Sequence, residues 1–402
     1  MYNLILRFIY LFIHIPLMGY KKRQKWILAQ KNLFKTLTPN KEKCIWIHCS
    51  SLGEYEYIKP LIPELKKINP LIKITFFSPS GYENFKDFDL VNQISYLPFD
   101  IKEKVEKFIN TINPIMVIVA KNEIWPNMIS YLEQKKIPRF LIGFKIKKEK
   151  IKNWFIKKYY LEYVSKFSHV FCQDKFTYTF LTLNNILPCS IIGDIRINQV
   201  INDANIKRKD PVIHTLTQNN KKTIIYGSVE KEDYPIIIDF IISRKDLNHI
   251  IIPHEITRIN DFKHICPSKY IMYSENEKDD CIDCNIVIVD VFGILKHIYQ
   301  YADIAYIGGG FNQGVHNTLE PAVHGNYMFF GPKHMNFPET HFFIKNQVAN
   351  VINNKQEFEK KINLHLEKDS SKEMVLDTNA QFLNKNKQDI DIIIDCLHKH
   401  LN

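Results

Sequence analysis

The chain has 402 residues, of which 45% are hydrophobic and 13% aromatic, so it is long enough to bury two separate cores. Its formal net charge of +11 comes mainly from lysine in a sequence rich in isoleucine and asparagine, which we attribute to compositional drift. We therefore predict no nucleic-acid binding, and we favour a basic surface that approaches an anionic membrane. The eight cysteines include one close pair, Cys281 and Cys284, which has neither a second pair nor a histidine partner, so we predict no metal site.

The first 20 residues are mostly apolar, and a basic stretch from Lys21 to Arg23 follows them. They lack a small-residue cleavage site, so we do not predict a removed signal peptide. We predict that residues 1–20 anchor the protein, either by spanning a membrane with the basic stretch on the cytoplasmic side or by lying in the interface. The alternative is a buried first helix of a soluble domain, because the segment is short and Pro16 interrupts it.

The next part of the chain alternates short apolar runs with amphipathic segments. Helices are predicted over 57–67, 102–111 and 127–135, and a longer Lys-rich helix over 145–167. Strands are predicted at CIWIHCS, IKITFFS, ISYLPF, IMVIVA, FLIGF, VFCQD and SIIGDI. This alternation indicates βαβ units and a mainly parallel sheet that is covered on both faces.

Residues 196–222 have no sustained apolar period, and we interpret them as the connection between two domains. A second alternating set follows, with strands at TIIYGS, NHIIIPH, YIMYS, IVIVD, IAYIGGG and YMFFGP. The chain ends in a predicted amphipathic helix, QFLNKNKQDIDIIIDCLHKH. We predict domains over 21–205 and 206–402, with the last helix packing back on the first domain.

Polar residues follow three strands of the first domain, at Ser51, Gly53 and Glu54, at Ser80 and Gly81, and at Glu123. The carboxyl ends of parallel strands meet at one edge of a sheet, where a general base would be useful. Glu54 is equally well explained as a helix-capping residue, because acidic side chains are favoured in the first turn.

The corresponding strand ends of the second domain contain glycines that let a backbone approach a ligand closely. They are Gly227 and Ser228, Pro253 and His254, Gly293, and Gly309 and Gly310. A helix is predicted to begin near His316, and its Asn317 and Glu320 are spaced to share one face. A carboxylate there can accept the hydroxyls of a ribose while helix-start amides hold phosphate. The alternative is that Asn317 only caps the helix and Glu320 is solvated.

The order of these motifs resembles the 3-deoxy-D-manno-octulosonic acid (Kdo) transferases of lipopolysaccharide synthesis. The resemblance extends over nearly the whole chain and rests on HCSSLGE, SPSGYE, EIWPN, GDIRIN, the PHE turn, VDVFGILKHIYQYADIAYIGGGF and VHNTLEPAVHGNYMFFGPKHMNF. It implies a GT-B fold, in which two Rossmann-like domains face a cleft. It further implies that the protein is attached to the cytoplasmic side of the inner membrane. It also implies inverting transfer from CMP-Kdo to a lipid A precursor, lipid IVA, without a metal or other cofactor.

The resemblance assigns the catalytic base to Glu54 and acceptor-side support to Glu123, Ser51, Gly53, Ser80 and Gly81. CMP binding would fall to Gly227, Ser228, Pro253, His254, Gly293, Gly309, Gly310, Asn317 and Glu320. The sequence departs from the family pattern in three places: an arginine is missing from Ile252-Pro253-His254, Asn198 replaces an acid, and Val229 replaces a threonine. Two alternatives stay open: a GT-B transferase for another nucleotide sugar, and a non-catalytic scaffold bound to membrane.

Overall fold

The structure is a computed structural model of the chain. It describes residues 2, 3, 6, 7, 21–39, 41–206, 208–256, 259, 270–275, 284–335, 337–367 and 372–401. Contacts between residues divide the chain into two compact units. Unit 1 comprises residues 1–199 with 387–402, and unit 2 comprises residues 200–386.

Unit 1 contains a sheet of seven parallel strands in the order β3-β2-β1-β4-β5-β6-β7. The strands are β1 Cys44–Cys49, β2 Ile72–Phe76, β3 Gln93–Tyr96, β4 Pro114–Ala120, β5 Arg139–Phe144, β6 His169–Cys172 and β7 Cys189–Ile191. The helices are α1 Lys21–Thr36, α2 Leu52–Ile58, α3 Ile62–Ile68, α4 Pro79–Glu83, α5 Lys102–Ile112, α6 Pro126–Gln134, α7 Lys148–Ile151, α8 Trp154–Val164 and α9 Lys175–Leu183. A further helix, α10 Arg196–Asn205, crosses the boundary into unit 2.

Unit 2 contains a second parallel sheet, in the order β10-β11-β9-β8-β12-β13-β14. Its strands are β8 Thr223–Val229, β9 Asn248–Pro253, β10 Ile271–Met272, β11 Ile286–Ile288, β12 Ile304–Ile307, β13 Tyr327–Phe330 and β14 Ala349–Val351. Its helices are α11 Pro211–Leu216, α12 Tyr234–Ser243, α13 Leu295–Ile298, α14 Leu319–Val323, α15 Pro338–Lys345, α16 Lys355–Glu367 and α17 Lys372–Asn386. The chain then returns to unit 1 with α18 Asp391–Lys399.

Both faces of the first sheet are covered by apolar side chains. Successive residues of a strand point to opposite faces, so one strand contributes to both cores. In β1, Trp46 joins one core cluster, whereas Ile45 and Ile47 join the cluster on the other face. Helix α18 adds Ile393, Ile394 and Leu397 to the second cluster. Burial on both faces explains why these strands are continuous apolar runs in the sequence.

Several predicted elements differ from the structure. Residues 196–222, interpreted as the connection between two domains, contain the boundary between the units, but they include the helices α10 and α11. Ile197 and Val200 are buried, and the Asp210 side chain caps α11. The predicted helix over 145–167 is two helices, because the Asn153 side chain accepts hydrogen bonds from Phe155 N and Ile156 N and begins a new helix. The final helix is also divided, between α17 and α18, and β14 was not predicted.

Most of the predicted anchor, residues 8–20, lies outside the described residues. Tyr2, however, donates a hydrogen bond to Asp100 Oδ2 at 2.9 Å, and Asn127 Nδ2 donates to Asn3 Oδ1 at 2.6 Å. These contacts show that the start of the segment packs on unit 1. Among the helices that the structure describes, none has the length and apolar character needed to cross a membrane.

Candidate functional site

The strand order of each sheet reverses at one point, which is where ligands bind in open parallel α/β sheets. The reversal lies between β1 and β4 in unit 1 and between β8 and β12 in unit 2. Glu54 and Glu123 follow β1 and β4, Ser228 lies near the end of β8, and the glycines at 308–310 follow β12. The main predicted residues therefore lie at two reversal points, one in each unit.

Glu54 lies half-buried in the first turn of α2, directly after β1. Burial and the charge of Glu123 raise the pKa of Glu54 to about 7, against the opposing effects of hydrogen bonds from the Ser50 and Ser51 backbone and of the Lys121 charge. The backbone N–H of Ser50 donates to Glu54 Oε2, so the capping contact weighed in the sequence analysis is also present. A carboxyl group with a pKa near neutrality has the property required of a general base.

Glu123 is held beside a buried histidine by the indole of Trp125. Trp125 Nε1 donates to Glu123 Oε2 at 3.0 Å and to His48 Nε2 at 3.1 Å. Because an indole N–H only donates, His48 Nε2 acts as an acceptor, and its Nδ1 faces Thr75 Oγ1 at 2.9 Å. This chain of contacts fixes the side chains at the carboxyl ends of β1 and β4.

Lys121 adds a positive group to the same edge of the sheet. Its Nζ lies 3.3 Å from the centre of the Tyr57 ring and donates to Gln173 Oε1 at 3.1 Å. Burial lowers the pKa of Lys121 to about 7. Gln173 Nε2 in turn donates to Asp194 Oδ2 at 2.9 Å, and Asp194 forms an ion pair with Arg196. Burial alone would raise the pKa of Asp194, but the charge and hydrogen bonds of Arg196, together with the Lys121 charge, outweigh burial and hold that pKa below its usual value.

The other predicted residues of unit 1 have mainly structural positions. Ser51 is the N-cap residue of α2, but its side chain makes no capping hydrogen bond. Gly53 is exposed, and Gly81 is buried in α4, where an added Cβ would lie 2.4 Å from Phe76 Cδ1. Ser80 lies in α4, with a side chain outside the described set. A hydrogen bond of 2.8 Å from the backbone N–H of Ser78 to the oxygen of Ser50 joins the turns after β1 and β2.

Unit 2 brings backbones together at its reversal point. An added Cβ at Gly308 would lie 2.3 Å from the backbone oxygen of Ser228, and one at Gly227 would lie 2.0 Å from the Tyr299 hydroxyl. A Cβ at Gly310 would lie 2.6 Å from the nitrogen of Gly331. Gly308 and Gly310 are therefore required where two backbones meet, and Gly227 makes room for the Tyr299 side chain, independently of any ligand.

A buried carboxylate, Asp233, connects the turns that follow β8 and β12. Its Oδ2 accepts hydrogen bonds from Glu230 N at 2.8 Å and from Gly309 N at 3.0 Å, and its Oδ1 accepts from the Tyr306 hydroxyl at 2.8 Å. Burial raises the pKa of Asp233, and these hydrogen bonds partly oppose the rise. The positions of both turns thus depend on one side chain.

Two histidines and a glutamate lie close together in the same region of unit 2. His316 Nε2 lies 3.0 Å from Glu230 Oε1, and the rings of His316 and His254 stack with centroids 4.3 Å apart. Burial and the neighbouring His254 lower the pKa of His316, while Glu230 opposes the shift. His254 is exposed and its backbone N–H bonds to Val229 at 2.9 Å, which joins the end of β9, at Pro253, to β8.

The predicted shared face of Asn317 and Glu320 is present, although the predicted start of their helix is wrong. Asn317 Nδ2 donates to Glu320 Oε1 at 2.9 Å, so the two side chains meet as their spacing predicts. The helix does not begin near His316, however; α14 begins at Leu319 and has only five residues. So short a helix provides a weak dipole, and Asn317 Oδ1 also accepts from the Leu319 N–H at 3.0 Å. Gly293, with φ +89°, occupies an exposed turn after β11, two strands away from β8.

Four ionisable residues of these sites were missed in the sequence. Lys121 directly follows a predicted strand and Glu230 follows another after one intervening residue, so the same strand-end argument could have identified them. Asp194 belongs to the GDIRIN motif but was not singled out, whereas Asp233 had no comparable signal, because its partners Tyr306 and Gly309 are far away in the chain.

Relatives of the chain agree with the motif resemblance. Residues 22–199 match the family model described as 3-deoxy-D-manno-octulosonic-acid transferase (kdotransferase). The chain is 26% identical over 390 residues to a bifunctional glycosyltransferase/methyltransferase of Fusobacterium nucleatum, covering 93% of this chain but only 60% of that protein. It is 26% identical over 373 residues to the 3-deoxy-D-manno-octulosonic acid transferase of Haemophilus influenzae, covering 89% of this chain and 87% of that enzyme. The predicted resemblance is confirmed.

The fold is also found among solved structures. A glycosyltransferase from Rickettsia africae aligns with a TM-score of 0.55 at 13% identity, covering 90% of this chain and 98% of that one. Together with the two parallel sheets, this similarity confirms the prediction of a GT-B fold with two Rossmann-like domains.

Proposed function

Since this chain is a homologue of the Kdo transferases, we propose that it transfers Kdo from CMP-Kdo to a lipid A precursor. Glu54 removes the proton of the acceptor hydroxyl while that oxygen forms a bond to the anomeric carbon of Kdo. The bond from that carbon to the phosphate oxygen breaks, and CMP leaves with its electron pair. A single attack opposite the leaving group inverts the anomeric carbon.

The observation that carries this proposal is the position and pKa of Glu54. The carboxyl group lies at the reversal point of the first sheet, within the residues that match the transferase family model. Its pKa of about 7 makes the carboxylate a stronger base than an exposed glutamate, while about half of it is still deprotonated at neutral pH. Glu123 maintains this state by its negative charge, and we assign it that supporting role.

We assign donor binding to the reversal point of unit 2. The Asn317–Glu320 pair presents carboxylate and amide groups suited to the hydroxyls of a ribose. The glycine-containing backbone at 227–228 and 308–310 lets the phosphate of CMP approach closely. The N–H groups of Gly308 and Gly309 already donate to Gly227 and Asp233, so they hold this backbone in place. The dipole of α14 contributes little to this assignment because the helix is short.

The proposed acceptor is a lipid, so the proposal places the protein at the cytoplasmic face of the inner membrane. Residues 1–20 are the proposed tether, with Tyr2 and Asn3 fixing its start to unit 1. Removing residues 1–20 should release the protein from sedimented membranes while detergent-dispersed acceptor is still converted. Unchanged sedimentation would contradict the tether.

The activity is tested by incubating the purified full chain with CMP-Kdo and lipid A precursor and measuring the product mass. The expected mass increases by one or more Kdo residues, and Glu54→Ala should abolish the increase. A panel of CMP-linked and UDP-linked sugars, assayed by nucleotide release, distinguishes a transferase for another sugar. CMP binding without turnover of any donor would instead favour the scaffold.

A further inference from the structure

Glu230, His254 and His316 place one carboxylate and two imidazoles around a common point in unit 2. Each residue contributes one ligand atom, and these atoms all lie within 4.8 Å of one another. The residues are separated by 24 and 62 positions in sequence, counted from 230 to 254 and from 254 to 316, which explains why no motif revealed them. Three folded elements, the turns after β8, β9 and β12, bring them together.

The three side chains match the ligand preferences of Zn²⁺ and of related divalent transition metals. Such ions bind imidazole nitrogen and carboxylate oxygen at about 2.0–2.2 Å, and a set of three protein ligands leaves a further position open. Ligands around a tetrahedral ion with these bond lengths are roughly 3.3–3.5 Å apart. His316 Nε2 and Glu230 Oε1, at 3.0 Å, already approach that spacing. An imidazole binds a metal in its ring plane, so the His254 ring must leave its stacked position on His316, where the ring planes meet at 21°. The exposed side chain of His254 can turn in this way without disturbing the core.

The surroundings hold two of the ligands rigidly. Asn312 Nδ2 donates to Glu230 Oε2 at 2.8 Å, which orients the carboxylate and leaves Oε1 toward His316. Gly309 has φ +85°, and an added Cβ there would lie 2.9 Å from the His316 ring, so the glycine makes room for the imidazole. Support by a hydrogen-bonded outer layer is a general feature of protein metal sites.

We propose that Glu230, His254 and His316 bind a divalent transition metal of the Zn²⁺ class. The ion replaces the contact between His316 and Glu230 and draws His254 into the same site. This departs from the expectation of no metal in the sequence analysis. The site is defined by residues of unit 2 alone and does not depend on the proposed transferase activity.

The test is a titration of the purified full chain with Co²⁺, which replaces Zn²⁺ and gives visible d–d absorption. We expect one Co²⁺ per chain at this site, displaced by Zn²⁺. Glu230→Gln, His254→Ala and His316→Ala should each weaken Co²⁺ binding by at least about tenfold, because even loss of a supporting contact costs that much. His334→Ala is the matched control, since His334 also hydrogen-bonds through Nδ1, to Thr340, and packs against a second histidine.

Co²⁺ bound by Cys281 and Cys284 would be distinguished from Co²⁺ at the proposed site by its absorption spectrum. Thiolate ligands would add an intense charge-transfer band, which should be lost in the double variant Cys281→Ser, Cys284→Ser while the d–d bands of the proposed site persist. His254 is exposed, so His254→Ala should keep the thermal stability of the wild type. A loss of Co²⁺ binding in this variant is therefore not explained by unfolding, and it tests the proposed site by itself. Three results would overturn the proposal. They are a wild-type Co²⁺ affinity in His254→Ala, a wild-type chain that binds no stoichiometric Co²⁺, and a cysteine variant that has lost all Co²⁺ binding.

Discussion

The reversal points of the two sheets are built in opposite ways. In unit 1 ionisable side chains approach one another, with Glu54, Glu123 and Lys121 interacting electrostatically and the pKa values of Glu54 and Lys121 both shifted to about 7. In unit 2 backbones approach one another, since an added Cβ at Gly308 or Gly310 would lie within 2.6 Å of a neighbouring backbone atom. Perturbed pKa values concentrate where proton transfer occurs, whereas close backbones offer N–H groups to a ligand. We therefore propose that proton transfer takes place in unit 1 and donor binding in unit 2.

The largest effect that would test this division is expected from Glu54→Gln. The amide has nearly the same shape but cannot accept a proton, so the turnover rate of Kdo transfer should fall by roughly 10²–10⁴-fold. Binding of CMP to the same variant, measured by calorimetry, should equal that of the wild type. A wild-type turnover rate, or a parallel loss of CMP binding, would contradict the assignment.

Gly308→Ala should damage unit 2 through packing. Its Cβ would lie 2.3 Å from the backbone oxygen of Ser228, so we expect a loss of about 1–3 kcal/mol in the free energy of unfolding and weaker CMP binding. The matched control is Gly53→Ala in α2, where an added Cβ meets nothing within 4 Å. That variant should be as stable as the wild type or more stable by up to about 1 kcal/mol. Denaturant unfolding measures both, and equal effects would refute the difference between the two regions.

The pH dependence of kcat/KM should respond in opposite directions to two neighbours of Glu54. Activity should rise with pH through about 7, because the deprotonated form of Glu54 is the base. Glu123→Gln removes a charge that raises the pKa of Glu54, so the acid limb should move to lower pH. Lys121→Met removes a positive charge that lowers the pKa of Glu54, so the acid limb of the profile should move to higher pH. Shifts in one common direction would rule out this electrostatic account.

The smallest effect is expected at the exposed surface of α8. Trp154 and Phe155 are 61% and 75% exposed, and Lys157 and Lys158 line a groove together with Trp154. A basic and aromatic surface of this kind suits a phosphorylated lipid. Lys157→Glu with Lys158→Glu should weaken acceptor binding by about 1 kcal/mol per lysine and reduce its salt dependence. The control is Lys360→Glu in α16 of unit 2, and an equal response to both changes would argue for a general charge effect.

Strand positions could be predicted from the sequence because fully buried parallel strands are continuous apolar runs. Each predicted strand is present, and the polar residues predicted at the strand ends lie at the carboxyl edges of the two sheets. Helix boundaries were less predictable where side-chain capping divides a helix, as at Asn153, because a single hydrogen-bonding residue overrides a long amphipathic pattern. The strand β14 escaped prediction because Ala349-Asn350-Val351 has a central asparagine and only Ala349 is buried, so it does not form an apolar run.

By itself, the sequence determined the two alternating βα halves, the glycine turns and the identity of Glu54 as the principal candidate, since these depend on local pattern and on the order of motifs. Only the tertiary structure decided which strand ends are neighbours, and therefore that β1 lies beside β4 and β8 beside β12. The burial that shifts the pKa values of Glu54 and Lys121, the Asp233 hydrogen bonds and the meeting of Glu230 with His254 and His316 likewise arise between distant residues. Such properties depend on distances through space, which spacing along the chain does not specify.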